Sequence, residues 1–154
     1  MSVLPSGSTV LATVPLVGGT ATYRLPATTP AGTYPVVARF AGDATVTGSS
    51  SAAVSVTVAR VTTTTSLTAT PGFLFVPSVL LVRVGQDNGR LPSGKVQITE
   101  GATVIRTLDV VLGVAVGTVP SGLTGLHTFT ATFVPNDAAN VAPSTSAPVT
   151  VRTR

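Results

Sequence analysis

Apolar and polar positions alternate with a period of two along Tyr34, Val36, Ala38 and Phe40, with Thr33, Pro35, Val37 and Arg39 facing the other way. The same rhythm returns at His127, Phe129, Ala131 and Phe133, with Thr128, Thr130 and Thr132 between them. Successive side chains point to opposite faces of a strand, so each run predicts a strand with one packed face and one wet face. Working outward from the second run, the pattern predicts strands over 64–70, 78–85, 94–99, 102–109, 113–119, 126–134 and 146–152. Turn-forming residues separate them at Pro71-Gly72, Asp87-Asn88-Gly89, Pro92-Ser93-Gly94, Glu100-Gly101, Pro120-Ser121-Gly122 and Pro135-Asn136-Asp137. The expected core of this half is Leu67, Leu80, Val82, Val84, Val96, Ile98, Val104, Val114, Val116, Phe129, Ala131, Phe133, Val149 and Val151.

The two halves carry the same text. Gly7-Ser8-Thr9-Val10-Leu11-Ala12-Thr13-Val14 lies over Gly101-Ala102-Thr103-Val104-Ile105-Arg106-Thr107-Leu108, 94 residues on, and the run from Gly32 to Phe40 lies over Gly125 to Phe133, 93 residues on. Self-similarity of this length marks a duplicated domain. Residues 7–14, 19–25, 33–41 and 52–58 match the last four strands of the second half, and no counterpart of its first three precedes them. The chain is therefore expected to be all-β, with an incomplete repeat over 1–59 followed by a complete seven-stranded repeat over 60–154. Seven short strands in about 90 residues is the count and size of an immunoglobulin-like β-sandwich. In the first repeat Ala21, Tyr23, Leu25, Tyr34, Val36, Phe40, Val54, Val56 and Val58 would face a missing part of the opposing sheet. Two readings stay open: the leading strands lie outside this sequence, or another surface completes the sheet. Between the repeats, 59–65 holds no Gly or Pro and is rich in β-branched residues, which predicts a short, stiff, extended junction.

Composition narrows the function classes. The 154 residues are 44% hydrophobic but only 5% aromatic and 9% charged, and Lys95 and Glu100 are the single lysine and glutamate. So few helix formers among so many Thr, Val and Gly leave strands as the default, and the apolar share suffices for a packed core. Nine cations against five acids give a net charge of +4, but the cations are scattered singly. A surface that tracks phosphates needs them side by side, so no nucleic-acid partner is expected. Without cysteine there is neither a disulfide framework nor a thiolate metal site. Met1 to Pro5 lacks the basic and apolar regions of a leader, and no stretch reaches the roughly 18 apolar residues of a membrane span. The sequence thus reads as a segment of a longer protein, with no membrane insertion.

The text also resembles a known family, the bacterial immunoglobulin-like repeat domains found in tandem in large secreted and cell-surface proteins. Gly94-Lys95-Val96-Gln97-Ile98-Thr99-Glu100-Gly101 is similar to that family's G-x-V-x-F-x-x-G hairpin. Leu123 to Phe133 is similar to its L-x-x-G-x-H-x-[IF]-x-A-x-[YF] strand, and the run from Gly32 to Asp43 repeats that strand with the family's G-D turn. The resemblance covers 60–154 fully and 7–58 in part, and Pro135-Asn136-Asp137 replaces the G-D turn in the second repeat. It implies an extracellular or cell-surface spacer, stalk or adhesion module, partnered by neighbouring Ig-like domains of its parent chain and free of catalytic residues.

Individual polar residues fit that picture. Tyr34 and His127 occupy one repeat position, two residues before Val36 and Phe129, where a tyrosine in such sandwiches can hydrogen-bond back to the backbone at the sheet corner. Both are expected to be structural corners, with Val36, Phe40, Val96, Ile98, Phe129 and Phe133 as core. A lone histidine has no second histidine or thiolate with which to hold a metal. Asp43 and Asp137 follow strand ends and read as turn-capping residues rather than calcium ligands, which require six to eight oxygens. No nucleophile, base and orienting group assemble into a credible set, so neither an enzyme nor a cofactor is expected. Thr62 to Thr65 reads as a strand entry rather than a glycosylated run. Two rival functions remain. A glycan- or cell-wall-binding module of a secreted hydrolase would need exposed aromatics, and only Phe73 and Phe75 fall off the inward positions. A self-assembling subunit would associate through its open N-terminal sheet, completed by strands of a neighbouring chain.

Overall fold

The computed structural model describes residues 2–5, 10–72, 76–119 and 123–153. The Pro120-Ser121-Gly122 turn, Phe73 and Phe75, and the repeat's opening Gly7-Ser8-Thr9 lie outside the described residues. Every regular element among the described residues is a strand: β1 Ser2–Pro5, β2 Ala12–Thr13, β3 Gly32–Gly42, β4 Thr47–Ser50, β5 Val54–Val58, β6 Thr63–Thr70, β7 Val79–Gln86, β8 Gly94–Glu100, β9 Thr103–Asp109, β10 Val114–Thr118, β11 Gly125–Pro135, β12 Ser144–Thr145 and β13 Val149–Thr153. The chain divides into two compact units, Met1–Ala59 and Arg60–Arg154.

In the second unit one sheet has the order β10-β7-β6, and the other has β12-β11-β8-β9 with β13 also on β11. All the pairings are antiparallel. Leu67, Leu80, Val82 and Val84 of the first sheet interlock with Val96, Ile98, Phe129, Ala131, Phe133 and Val151 of the second, joined by Ala115 and Val119. Burying an aliphatic or phenyl side chain stabilises by roughly 1.5–3 kcal/mol, so this layer is what holds the sandwich closed. The sheets are also fastened at one margin. Val61 runs parallel to Val141, donating its N–H to the Asn140 carbonyl and accepting from the Ala142 N–H. The Thr63 and Thr65 hydroxyls both reach the Ser144 hydroxyl, at 2.8 and 2.7 Å.

Three expected core residues are not inside. Val104 is 49% exposed, because β9 slips against β8 between Ile98 and Thr99. Such a bulge inverts the facing of everything beyond it, so Ile105 packs on the core with Leu108. On β10 the facing is one residue off: Ala115 is buried while Val116 is 60% exposed and Val114 half-buried. The last strand is broken into β12 and β13. At the break the Ser146 hydroxyl accepts the Ala131 N–H at 3.0 Å and donates to the Ala147 carbonyl.

Gly94 starts β8 where a side chain has no room. A Cβ there would lie 2.3 Å from the Val134 carbonyl oxygen and 2.7 Å from the Phe133 ring, so glycine lets β11 close onto β8. At the β9–β10 turn, Leu112 and Gly113 both have positive φ, 51° and 79°. Val111 and Val114 exchange both backbone hydrogen bonds across it, at 2.8 and 2.9 Å, the geometry of a tight primed hairpin turn.

The first unit repeats one sheet of this arrangement, in the order β2-β1-β3-β4 with β5 also on β3. Val3 pairs with Ala38 and Ala12 as Ile98 pairs with Ala131 and Arg106. β1 is therefore the counterpart of β8, which corrects the expectation that nothing upstream supplies any of the first three strands. Only counterparts of β6 and β7 are missing among the described residues. The Ser146 hook recurs too: the Ser51 hydroxyl accepts the Ala38 N–H at 3.0 Å and donates to the Ala52 carbonyl. The turn recurs as Val17 to Thr20, with glycines at 18 and 19 in the left-handed conformation. The strand expected over 19–25 does not form, since 21–26 carries no strand pairing. Its counterpart β10 pairs with β7, and the described residues of the first unit offer no such neighbour.

Candidate functional site

The two repeat-related polar residues, Tyr34 and His127, sit at the sheet corners. The Tyr34 hydroxyl donates to the Pro30 carbonyl at 2.7 Å. His127 places Nδ1 2.6 Å from the Glu100 carboxylate and Nε2 3.3 Å from the Thr124 carbonyl, with its ring stacked near Phe129 at 6.2 Å between centroids. The Glu100 carboxylate, and to a lesser degree the Thr124 carbonyl, favours the imidazolium and raises the His127 pKa above its ordinary value. The contact ties β11 to β8 and leaves no ring nitrogen for a further ligand.

The acids are similarly engaged. Asp43 Oδ1 accepts the Thr45 N–H, the Thr45 hydroxyl and the Val46 N–H, at 2.7, 2.8 and 2.9 Å. These donors, the Thr45 N–H foremost, lower its pKa. Asp87 accepts the Thr62 hydroxyl at 2.6 Å, which lowers its pKa, and Asp137 caps the turn at Asn140. Asp109 pairs with Lys95 across β8 and β9. Among the described residues no three of His, Asp and Glu converge as a metal site would require.

The first unit holds an unfilled apolar feature. Val14, Ala21, Tyr23, Leu25, Val36, Ala38 and Val56 line a hollow of about 260 Å³. Its floor is β3, whose Val36, Ala38 and Phe40 correspond to Phe129, Ala131 and Phe133. Those three are fully buried in the second unit, while their counterparts are only half-buried. Val36 and Ala38 line the hollow and Phe40 is half-buried further along the same strand, without forming a closed core, because no described strand of this unit covers them. Val54, expected inward, is 62% exposed. The hollow's rim is the unpaired stretch 21–25, in which Ala21, Tyr23 and Leu25 turn inward while Thr22 and Arg24 turn out. The strand expected at that rim is absent, since 21–26 carries no strand pairing.

Residues 2–59 match the model of the Bacterial Ig-like domain (group 3). Over these residues the chain is similar to a bacterial Ig-like domain. The match falls on the first unit, whereas the quoted motifs placed the fuller resemblance in 60–154. A solved structure of fibronectin(III)-like modules of Clostridium thermocellum CbhA is 17% identical, with a TM-score of 0.43, over 99% of this chain and 75% of that one. No curated protein matches the chain. The Ig-like match in 2–59 includes both the sheet floored by β3 and the Gly42-Asp43 turn. There Gly42 has φ 85°, and a Cβ would sit 2.6 Å from Gly48 N.

Proposed function

We propose that this Ig-like chain is a structural spacer, stalk or adhesion segment of a bacterial cell-surface or secreted multidomain protein, without catalysis. One observation carries the reading: the single histidine and all five acids are engaged in fastening strands and turns. A catalytic or metal site would aim such groups into a shared cleft, whereas here each closes a corner, caps a turn or bridges two adjacent strands. The outer faces are joined by threonine pairs, such as Thr128 with Thr150 and Thr132 with Thr145, at 2.8 and 3.0 Å. The partners of this chain in the spacer role are the neighbouring Ig-like domains of the parent chain. The test is to display a reporter binder on a bacterial cell through this chain or through a short flexible linker, and to measure capture by bulky beads. The spacer reading expects greater capture through the chain, and equal capture would overturn it. Saturable retention on purified polysaccharide or cell wall would replace it with a binding module.

A further inference from the structure

The sequence has three asparagines, Asn88, Asn136 and Asn140, followed by Gly89, Asp137 and Val141. An asparagine loses its amide when the next residue's backbone nitrogen closes on the side-chain carbon, and glycine favours the step because no Cβ stands in the way. The fold treats the three sites differently. Asn136 donates through its side-chain amide to the Ser93 hydroxyl at 2.9 Å, and the Asn140 amide donates to Asp137 at 2.9 Å. The nitrogen that would attack Asn140 is that of Val141, whose N–H donates to the Asp137 carbonyl at 2.9 Å and whose side chain is β-branched. Asn88, by contrast, lies on the exposed turn that follows β7. Its Oδ1 accepts the Arg90 N–H at 3.0 Å, which holds the side chain along the turn and draws electrons from the carbon to be attacked. The Gly89 N–H makes a long bond of 3.2 Å to the Gln86 carbonyl, and nothing lies within 4 Å of the place a Gly89 Cβ would take.

We propose that Asn88 is a site of spontaneous covalent modification by water, which converts it to aspartate and isoaspartate and loosens the entry of the second unit. The Gly89 nitrogen attacks Asn88 Cγ, the new C–N bond closes a five-membered imide, and the side-chain nitrogen leaves as ammonia with the Gly89 proton. Water then opens the ring at either carbonyl, with no change of oxidation state. Opening at Cγ leaves aspartate; opening at the main-chain carbonyl leaves isoaspartate, with a methylene added to the backbone. Both products set a new carboxylate beside Asp87. That residue clasps Thr62: its carboxylate accepts the Thr62 hydroxyl and N–H at 2.6 and 3.3 Å, and its N–H donates to the Thr62 carbonyl at 3.2 Å. Thr62 follows Val61, which runs beside Val141, so a lengthened turn draws Asp87 off the first stretch of the second unit.

The test ages the full chain in warm, mildly alkaline buffer and maps it by mass spectrometry with electron-transfer fragmentation, which separates isoaspartate from aspartate. Residue 88 is expected to lose its amide at least about tenfold faster than Asn136 or Asn140, with both acids formed. Asn88→Gln, which must close a larger ring, is expected to be at least about tenfold slower than Asn88. Amide exchange at Thr62 and Asp87 should quicken by about tenfold in the aged chain and stay unchanged in aged Asn88→Gln, with Phe129 to Phe133 protected in both. The proposal is overturned if residue 88 keeps its amide in the folded chain but loses it in urea, since the fold would then shield it. Equal conversion at Asn136 or Asn140 overturns it too, as does conversion of Asn88 with unchanged exchange at Thr62.

Discussion

Replacing Phe133 by alanine and, separately, Phe40 by alanine makes one chemical change at the same repeat position in each unit. Phe133 is fully buried between two sheets, so its truncation loses the transfer energy of the ring and leaves a closed cavity. Such changes cost about 3–5 kcal/mol, a large part of the roughly 5–15 kcal/mol that holds a domain together. Phe40 is half-buried on a face with no opposing hairpin among the described residues. It forfeits only about half of the roughly 1.5–3 kcal/mol that full burial is worth, and the space it vacates is open rather than enclosed. A cost of about 1 kcal/mol is expected. The two tyrosines of the chain, Tyr23 and Tyr34, both lie in the first unit, so tyrosine fluorescence in a urea titration follows that unit. Amide exchange at Phe129 to Phe133 follows the other. A Phe40→Ala cost equal to that of Phe133→Ala would refute the reasoning, because it would mean that the first unit's face is already sealed.

Three more outcomes follow from single contacts. Gly94→Ala should destabilise the second unit by about 1–3 kcal/mol or more, since the added methyl meets Val134 backbone and the Phe133 ring; a unit that melts unchanged by calorimetry contradicts this. Leu112→Asn should stabilise by up to about 1 kcal/mol, because asparagine tolerates the positive φ that leucine is held in while 73% exposed, and chemical denaturation would read the gain. The pH dependence has two limbs. The raised His127 pKa means its contribution is full below the ordinary imidazole value and is lost as pH rises through the raised one. The lowered Asp43 and Asp87 values mean theirs is present above the ordinary carboxylate value and lost as pH falls through the lowered ones. In the His127→Gln chain the melting temperature should lose the first slope and keep the second.

The all-β class was readable because the chain's alternation is cleanest where a strand is buried on one face, as at His127 to Phe133. Where neighbours on both faces are apolar the pattern stops discriminating. Val114, Ala115 and Val116 offer no polar marker, and the small Ala115 turned out to be the inward residue. The bulge opposite Ile98 is likewise invisible to a period-two reading, since it changes the facing of Val104 without changing its chemistry. In the first unit 19–25 has strand chemistry, but a strand is a relation between two segments, and its partner lies outside what the repeat supplies. The corner roles of Tyr34 and His127 came from their shared repeat position. Glu100 as the partner of His127 was not anticipated, because 27 residues separate them and only the pairing of β8 with β11 brings them together.

The parallel bridge of Val61 beside Val141 has a consequence for a domain pulled from both ends. These two stretches run side by side in the same direction, one entering the second unit and the other leading toward its exit. A tug on the two ends slides them past each other, loading the Asn140, Ala142 and Ser144 links together instead of peeling them one after another. Tension is thereby shared across the whole margin, and the sandwich should hold its length under a pull until that margin gives way in a single step.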